Sequence, residues 1–343
     1  MILLAGAAAL DVTPPLGAPL LGYWYGRQAS GLHDPLQAKA LVLALDDALA
    51  AIVTVDVCLL TRQWIDESAR LIQKRSGIPR ERLLVACSHT HTGPATTRLF
   101  GHEECPPSYR EFLCRRLADV VEVARQALRP ARAAAAQGNA PGLAFNRRLL
   151  RPDGKVHSHK PGEALTAEPL HPAGPVDDAI RLLYLEDAEN RQPLAVLANF
   201  ALHPDTMGGA AISADYPGVL AGTLAHMLGG RPTVLFANGP CGDINHLDPL
   251  RSGEPYDSRH AMRIGQTLAA QAYAATRRLT WLRAASLAGG RESVTLRVRT
   301  PEPEQVQAAG QAVAHHSGPP SRDLVRAQSL LEVHSRAGES FTT

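Results

Sequence analysis

Apolar positions along this chain follow two different periods, and the change from one to the other marks its elements. Residues 38–45 and 51–56 form two apolar, β-rich runs separated by Asp46-Asp47-Ala48-Leu49-Ala50, the pattern of a hairpin. From 64 to 74 the spacing becomes helical, with Ile65, Ala69 and Ile72 on one face and charges opposite, and Ser76-Gly77-Ile78-Pro79 stops it. Residues 83–87 are again a short apolar run. A strand, a helix and a strand in this order predict a parallel pair with a right-handed crossover. Ligands gather at the carboxyl ends of such strands.

The pattern continues with a helix over 109–128, stopped by Pro130, and an alanine-rich stretch at 131–138 that reads as its continuation after a break. Residues 146–178 are rich in Pro, Gly and His and have no period, so they predict a long loop. Strands are expected at 180–186, 193–201 and 233–237. A helix is expected after Asp215-Tyr216-Pro217, with Asp215 as its cap and Pro217 in its first turn. Further helices are read at 258–277, 303–315 and 321–336, and a half-exposed strand at 293–299. The first ten residues lack a basic start and run straight into Asp11-Val12-Thr13-Pro14-Pro15, which favours a first strand over a signal segment. No repeat and no linker interrupts the chain. The reading is one α/β domain over 1–343, a mixed β-sheet core flanked by helices.

Composition narrows the classes. Apolar residues make up 45% and charged residues 20%, the balance of a globular protein. A net charge of +2, with scattered basic residues, argues against a nucleic-acid partner. No stretch approaches 18 uncharged apolar residues, so no transmembrane segment is expected. Five cysteines, Cys58, Cys87, Cys105, Cys114 and Cys241, have no metal or redox spacing, which favours a reducing compartment and a cytoplasmic location.

The chemistry concentrates at strand ends. The run at 83–87 leads into Ser88-His89-Thr90-His91-Thr92-Gly93-Pro94. Residues i and i+2 of an extended chain point the same way, so both imidazoles can face one point, and neutral imidazoles suit zinc. Among 14 histidines the bare spacing is a weak signal. Two later strands deliver similar residues, His203-Pro204-Asp205 and Gly242-Asp243-Ile244-Asn245-His246. For Asp243 and Asn245 a plain turn role weighs as much as a catalytic one, and Asp243 is suited to orienting a liganding histidine. Either Arg147 or Arg148 suits a substrate carboxylate or oxyanion. Ser88 lacks the Gly-x-Ser-x-Gly surroundings of a nucleophile.

Several segments together resemble the neutral/alkaline (non-lysosomal) ceramidase family. They are Asp11-Val12-Thr13-Pro14-Pro15-Leu16-Gly17, Gly31-Leu32-His33-Asp34-Pro35-Leu36 with Ala38-Lys39-Ala40, the Ser88–Pro94 segment, Asn146-Arg147-Arg148 and Gly174-Pro175-Val176-Asp177. Asn199-Phe200-Ala201-Leu202-His203-Pro204, Ile212-Ser213-Ala214-Asp215-Tyr216-Pro217-Gly218 and Gly242-Asp243-Ile244-Asn245 complete the series, in family order. The resemblance implies a zinc-dependent hydrolase of amide bonds to an acyl group. It implies His89 and His203 as zinc ligands, with His91, Asp243 and Asn245 as catalytic groups and His33, Arg148 and Asp215 near a small-molecule amide or lipid substrate. Asn245 stands where the family carries a serine, which opens the substrate to amides or esters other than ceramide. The family draws two further ligands, a glutamate and a tyrosine, from beyond the elements read here, and no counterpart is found before Thr343. The chain therefore reads as lacking its C-terminal part, and a non-catalytic binding scaffold of the same fold stands as the alternative.

Overall fold

The computed structural model describes residues 2–99, 103–158, 170–229, 232–250, 257–283, 286–318 and 321–342. Nine strands form the main sheet: β1 (Leu4–Asp11), β2 (Gln37–Leu45), β3 (Ala48–Val55), β4 (Leu83–Cys87), β5 (Arg129–Asn139), β6 (Ala179–Asp187), β7 (Pro193–Phe200), β8 (Thr233–Asn238) and β9 (Thr280–Trp281). Their order is β8-β7-β6-β5-β1-β2-β3-β4, with β9 also paired to β5. The β3–β4 and β7–β8 pairs are parallel and the rest antiparallel, so the sheet is mixed as expected. The helices are α1 (Arg62–Ser76), α2 (Pro107–Gln126), α3 (Asp215–Met227), α4 (Ser258–Ala275), α5 (Pro303–Ala314) and α6 (Arg322–Ser335).

The sheet folds over on itself at β5. Arg129 and Pro130 pair with β1, whereas residues 131–139 pair with β6. Because strand side chains alternate between faces, each strand then serves two cores. Ala5 of β1, Leu41 of β2, Leu185 of β6 and Leu235 of β8 meet between the two layers. Ala8, Ala40 and Val53 face outward onto α1 and α2. Ile180, Val196 and Phe236 face outward onto α3 and α4. Helix, sheet layer, sheet layer and helix stack in that order.

Three expectations change. The stretch at 131–138 is not helix but most of β5. Ala134 is fully buried, and the segment bonds to β6 along its length, so sheet pairing overrides the helix preference of alanine. Within 146–178, Arg148–Leu150 pairs with Val156–Ser158 and His171–Pro172, giving a small sheet where a loop was expected, while 159–169 lie outside the described residues. Helix α3 is entered from Ala214 with no side-chain cap, so Asp215 does not cap it. Its carboxylate accepts instead from Thr206 Oγ1 at 2.6 Å and the Thr206 N–H at 2.8 Å, tying down the loop after His203.

Candidate metal centre

The two parallel pairs lie in opposite layers, and their carboxyl ends meet at one end of the sandwich. Asn238, at the end of β8, donates through Nδ2 to the Ser88 carbonyl at 3.2 Å and the Leu202 carbonyl at 3.0 Å. The His91 N–H donates to the Pro204 carbonyl at 3.2 Å. These bonds join the segment after β4 to the segment after β7. They bring His89 and His91 against His203.

The three rings converge on one point through their Nε2 atoms. His203 Nε2 lies 3.1 Å from His91 Nε2 and 3.3 Å from His89 Nε2, and His91 Nε2 lies 3.4 Å from His89 Nε2. The other nitrogens fix the tautomers of His89 and His203. His89 Nδ1–H donates to the Cys58 carbonyl at 2.7 Å, and His203 Nδ1–H to the Cys241 carbonyl at 3.0 Å. A neutral imidazole carries one proton, so Nε2 of both rings presents a lone pair. His91 Nδ1 is buried without a hydrogen bond, 3.5 Å from the Asp205 carboxylate. Zinc–nitrogen bonds of ~2.05 Å at the tetrahedral angle place their nitrogens ~3.3 Å apart. The donor set fits a zinc ion.

Electrostatics keeps His91 and His203 neutral. Burial first, then the neighbouring His89, Arg27 and Arg147 charges, lowers His91 to about 3. His203 is lowered to about 3 by burial and by His91. The nearby thiols are less suited to bind: burial raises Cys58 to about 12 and Cys241 to about 11, away from the thiolate form that binds metals. Cys58 Sγ lies 3.6 Å from His89 Nδ1, the nitrogen that donates to the Cys58 carbonyl, and within 4.8 Å of a His91 nitrogen.

Backbone geometry holds the rings in place. His89 has φ 72, a left-handed conformation that a non-glycine residue adopts under constraint. Gly22 lies against the His91 ring so closely that an added Cβ would sit 2.5 Å from its Cγ. The Arg27 guanidinium donates to the His91 carbonyl and stacks 3.8 Å over Tyr23, whose hydroxyl donates to Asp205 at 2.5 Å. On the far side, His246 Nδ1 and His260 Nε2 are 2.9 Å apart in full burial, with the His246 ring acting on the Asp205 backbone.

The other expected site residues spread around this centre. Asp243 accepts from Asn146 Nδ2 at 3.1 Å, and Asn245 is buried with its carbonyl oxygen on the His246 N–H at 2.7 Å. Both side chains brace the turn behind His203, whose N–H donates to the Ile244 carbonyl. Arg148 is exposed. Its neighbour Arg147 is half-buried, donates to the Gly242 carbonyl at 2.6 Å, and places its charge on His91 and His203. His33 is exposed and bound to Asp34 at 2.7 Å, apart from the imidazoles. Tyr23, Arg27 and the His246–His260 pair were not legible as site residues; only the position of His246 beside Asn245 hinted at it.

No family model matches the sequence, and no curated protein does. Among solved structures, the chain is similar to neutral ceramidase from Pseudomonas aeruginosa, with 19% identity and a TM-score of 0.67 over 96% of this chain and 56% of that one. It is also similar to a ceramidase complexed with C2, with 19% identity and a TM-score of 0.65 over 89% of this chain and 48% of that one. At this identity the likeness is one of fold. The chain has the α/β fold of the neutral ceramidase structures and spans about half of their length.

Proposed function

We propose that this chain carries the metal-binding centre of a zinc-dependent hydrolase of N-acyl amide bonds. One observation carries the reading: three Nε2 atoms lie 3.1–3.4 Å apart, and the tautomers of His89 and His203 aim their lone pairs at the common point. His89 and His203 hold the ion, as the sequence implied, and His91 joins them as a third ligand instead of acting on the proton. A zinc ion in such a site supplies Lewis acidity, lowering the pKa of water and polarising a carbonyl. Asp205 orients His91, and Arg147 offers a cation to an oxygen that gains negative charge during acyl transfer. The ceramidase likeness supports an amide of a fatty or other acyl group, and Asn245 in place of serine supports a substrate other than ceramide.

The test is a panel of N-acyl amides of increasing chain length incubated with the purified chain and zinc. Turnover is expected, lost with a chelator and restored by zinc, and lost in His89→Ala and His203→Ala. Arg147→Ala is expected to lower kcat by about 10²–10³-fold, the scale of removing one oxyanion partner. Zinc binding without turnover on any substrate is the result expected of the alternative, a non-catalytic binding scaffold of the same fold.

A further inference from the structure

The space between the two sheet layers is apolar along most of its length and turns polar at one end. On β2, Leu41 and Leu43 face the core between the layers. Lys39 and Gln37 lie on the same face, two and four residues before Leu41. A cavity of about 610 Å³ opens beside them, within the ~300–1,000 Å³ range of small-molecule pockets. Lys39, Gln37 and Asp56 line one side, and Gly218, Ala221 and Gly222 of α3 line the other.

Lys39 is the informative residue. It is only 8% exposed, yet among the described residues no hydrogen bond or ion-pair contact reaches its ammonium group. Burial disfavours its charged form, which Asp56 favours at longer range, and the Asp56 carboxylate accepts from the Gln37 N–H at 2.9 Å. Asp34 is likewise engaged, by Ser213 Oγ at 2.5 Å and the Ala214 N–H at 2.8 Å. An ammonium has three donors and no acceptor, and burying it without acceptors is costly. The cavity presents those donors to a ligand. The facing wall of glycine and alanine leaves room for a slender apolar chain; an added Cβ at Gly222 would meet nothing.

We propose that this cavity binds an alkyl monocarboxylate, its carboxylate on the Lys39 ammonium and its chain along the small residues of α3. The carboxylate supplies the hydrogen-bond acceptor that Lys39 lacks, and the apolar wall takes the tail. The assignment stands independently of the metal centre.

The test titrates decanoate into the full chain by calorimetry, with decanol as the neutral comparison. Saturable binding of decanoate is expected, weakened at least tenfold in Lys39→Met, with decanol binding changed less than threefold. Gly222→Leu, which fills open space, is expected to weaken both ligands at least tenfold while the thermal midpoint holds; it keeps the proposal testable if Lys39→Met fails to fold. His89→Ala/His203→Ala is expected to bind decanoate as the parent does. Absence of saturable decanoate binding would overturn the proposal. So would binding unchanged in both cavity variants, or binding lost in the double histidine variant, which would place the carboxylate on the metal centre.

Discussion

Three imidazole Nε2 atoms packed around one point, two of them fixed as lone pairs, repel one another unless a positive ion lies between them. Protonation is the other way to relieve that repulsion, and its pH range follows from the shifts. His91 and His203 are lowered to about 3 in the folded chain, against an ordinary histidine value near 6.5. Between those values the unfolded chain holds protons that the folded chain does not, so stability is present above pH ~6.5 and is lost as pH falls toward 3. Each group contributes a slope of about 1.4 kcal/mol per pH unit in that window. Chelator-treated protein is therefore expected to lose denaturant resistance from pH 6.5 downward, and a flat profile from 6.5 to 4 would contradict the neutral cluster. Gly22→Ala tests the positioning of His91. Its Cβ would meet the ring at 2.5 Å from a backbone at φ 120, so zinc affinity should fall by about 10–100-fold in a competition titration. At this scale the sequence was legible where spacing fixes direction, as in His89 and His91 after a strand. It was silent on Tyr23, Arg27 and His260, which reach the centre only through folding of distant segments.

Elements place these residues, and close packing fixes the elements. Helix α3 enters beside the centre at Asp215 and lies on α4 at Gly265, where an added Cβ would be 2.6 Å from Val219 and 2.8 Å from the Tyr216 carbonyl. Gly265→Ala is expected to cost about 1–3 kcal/mol by overpacking, read as a lower denaturant midpoint with an unchanged slope. An unchanged midpoint would show that the two helices are not in close contact. Helix α1, with one apolar face, and the β2–β3 hairpin, with its two apolar runs, were legible from their patterns. The alanine run of β5 was not, since four consecutive alanines at 133–136 give no period and only pairing with β6 decides its state. Asp215 misled for a related reason: a carboxylate before a helix suits a cap, but the Thr206 loop takes it first.

At the scale of the molecule, one sheet folded at β5 brings the carboxyl ends of two parallel pairs to the same end of the sandwich. That geometry delivers a histidine pair from one layer and a single histidine from the other to a common point. No amino-acid pattern announces the fold-over, because its cause is the switch of β5 from β1 to β6 partway along one strand. Ordered family motifs made the class of fold legible, and the structural likeness to neutral ceramidase agrees with them. The account's central claim is that His89, His91 and His203 together hold a zinc ion. X-ray absorption on the zinc-loaded chain, with metal content measured in parallel, tests it most directly. The expected result is one zinc per chain with three imidazole nitrogens at ~2.0–2.1 Å, and loss of that zinc in His89→Ala/His203→Ala. A zinc content equal in parent and double variant, or a sulfur-dominated spectrum, would contradict it.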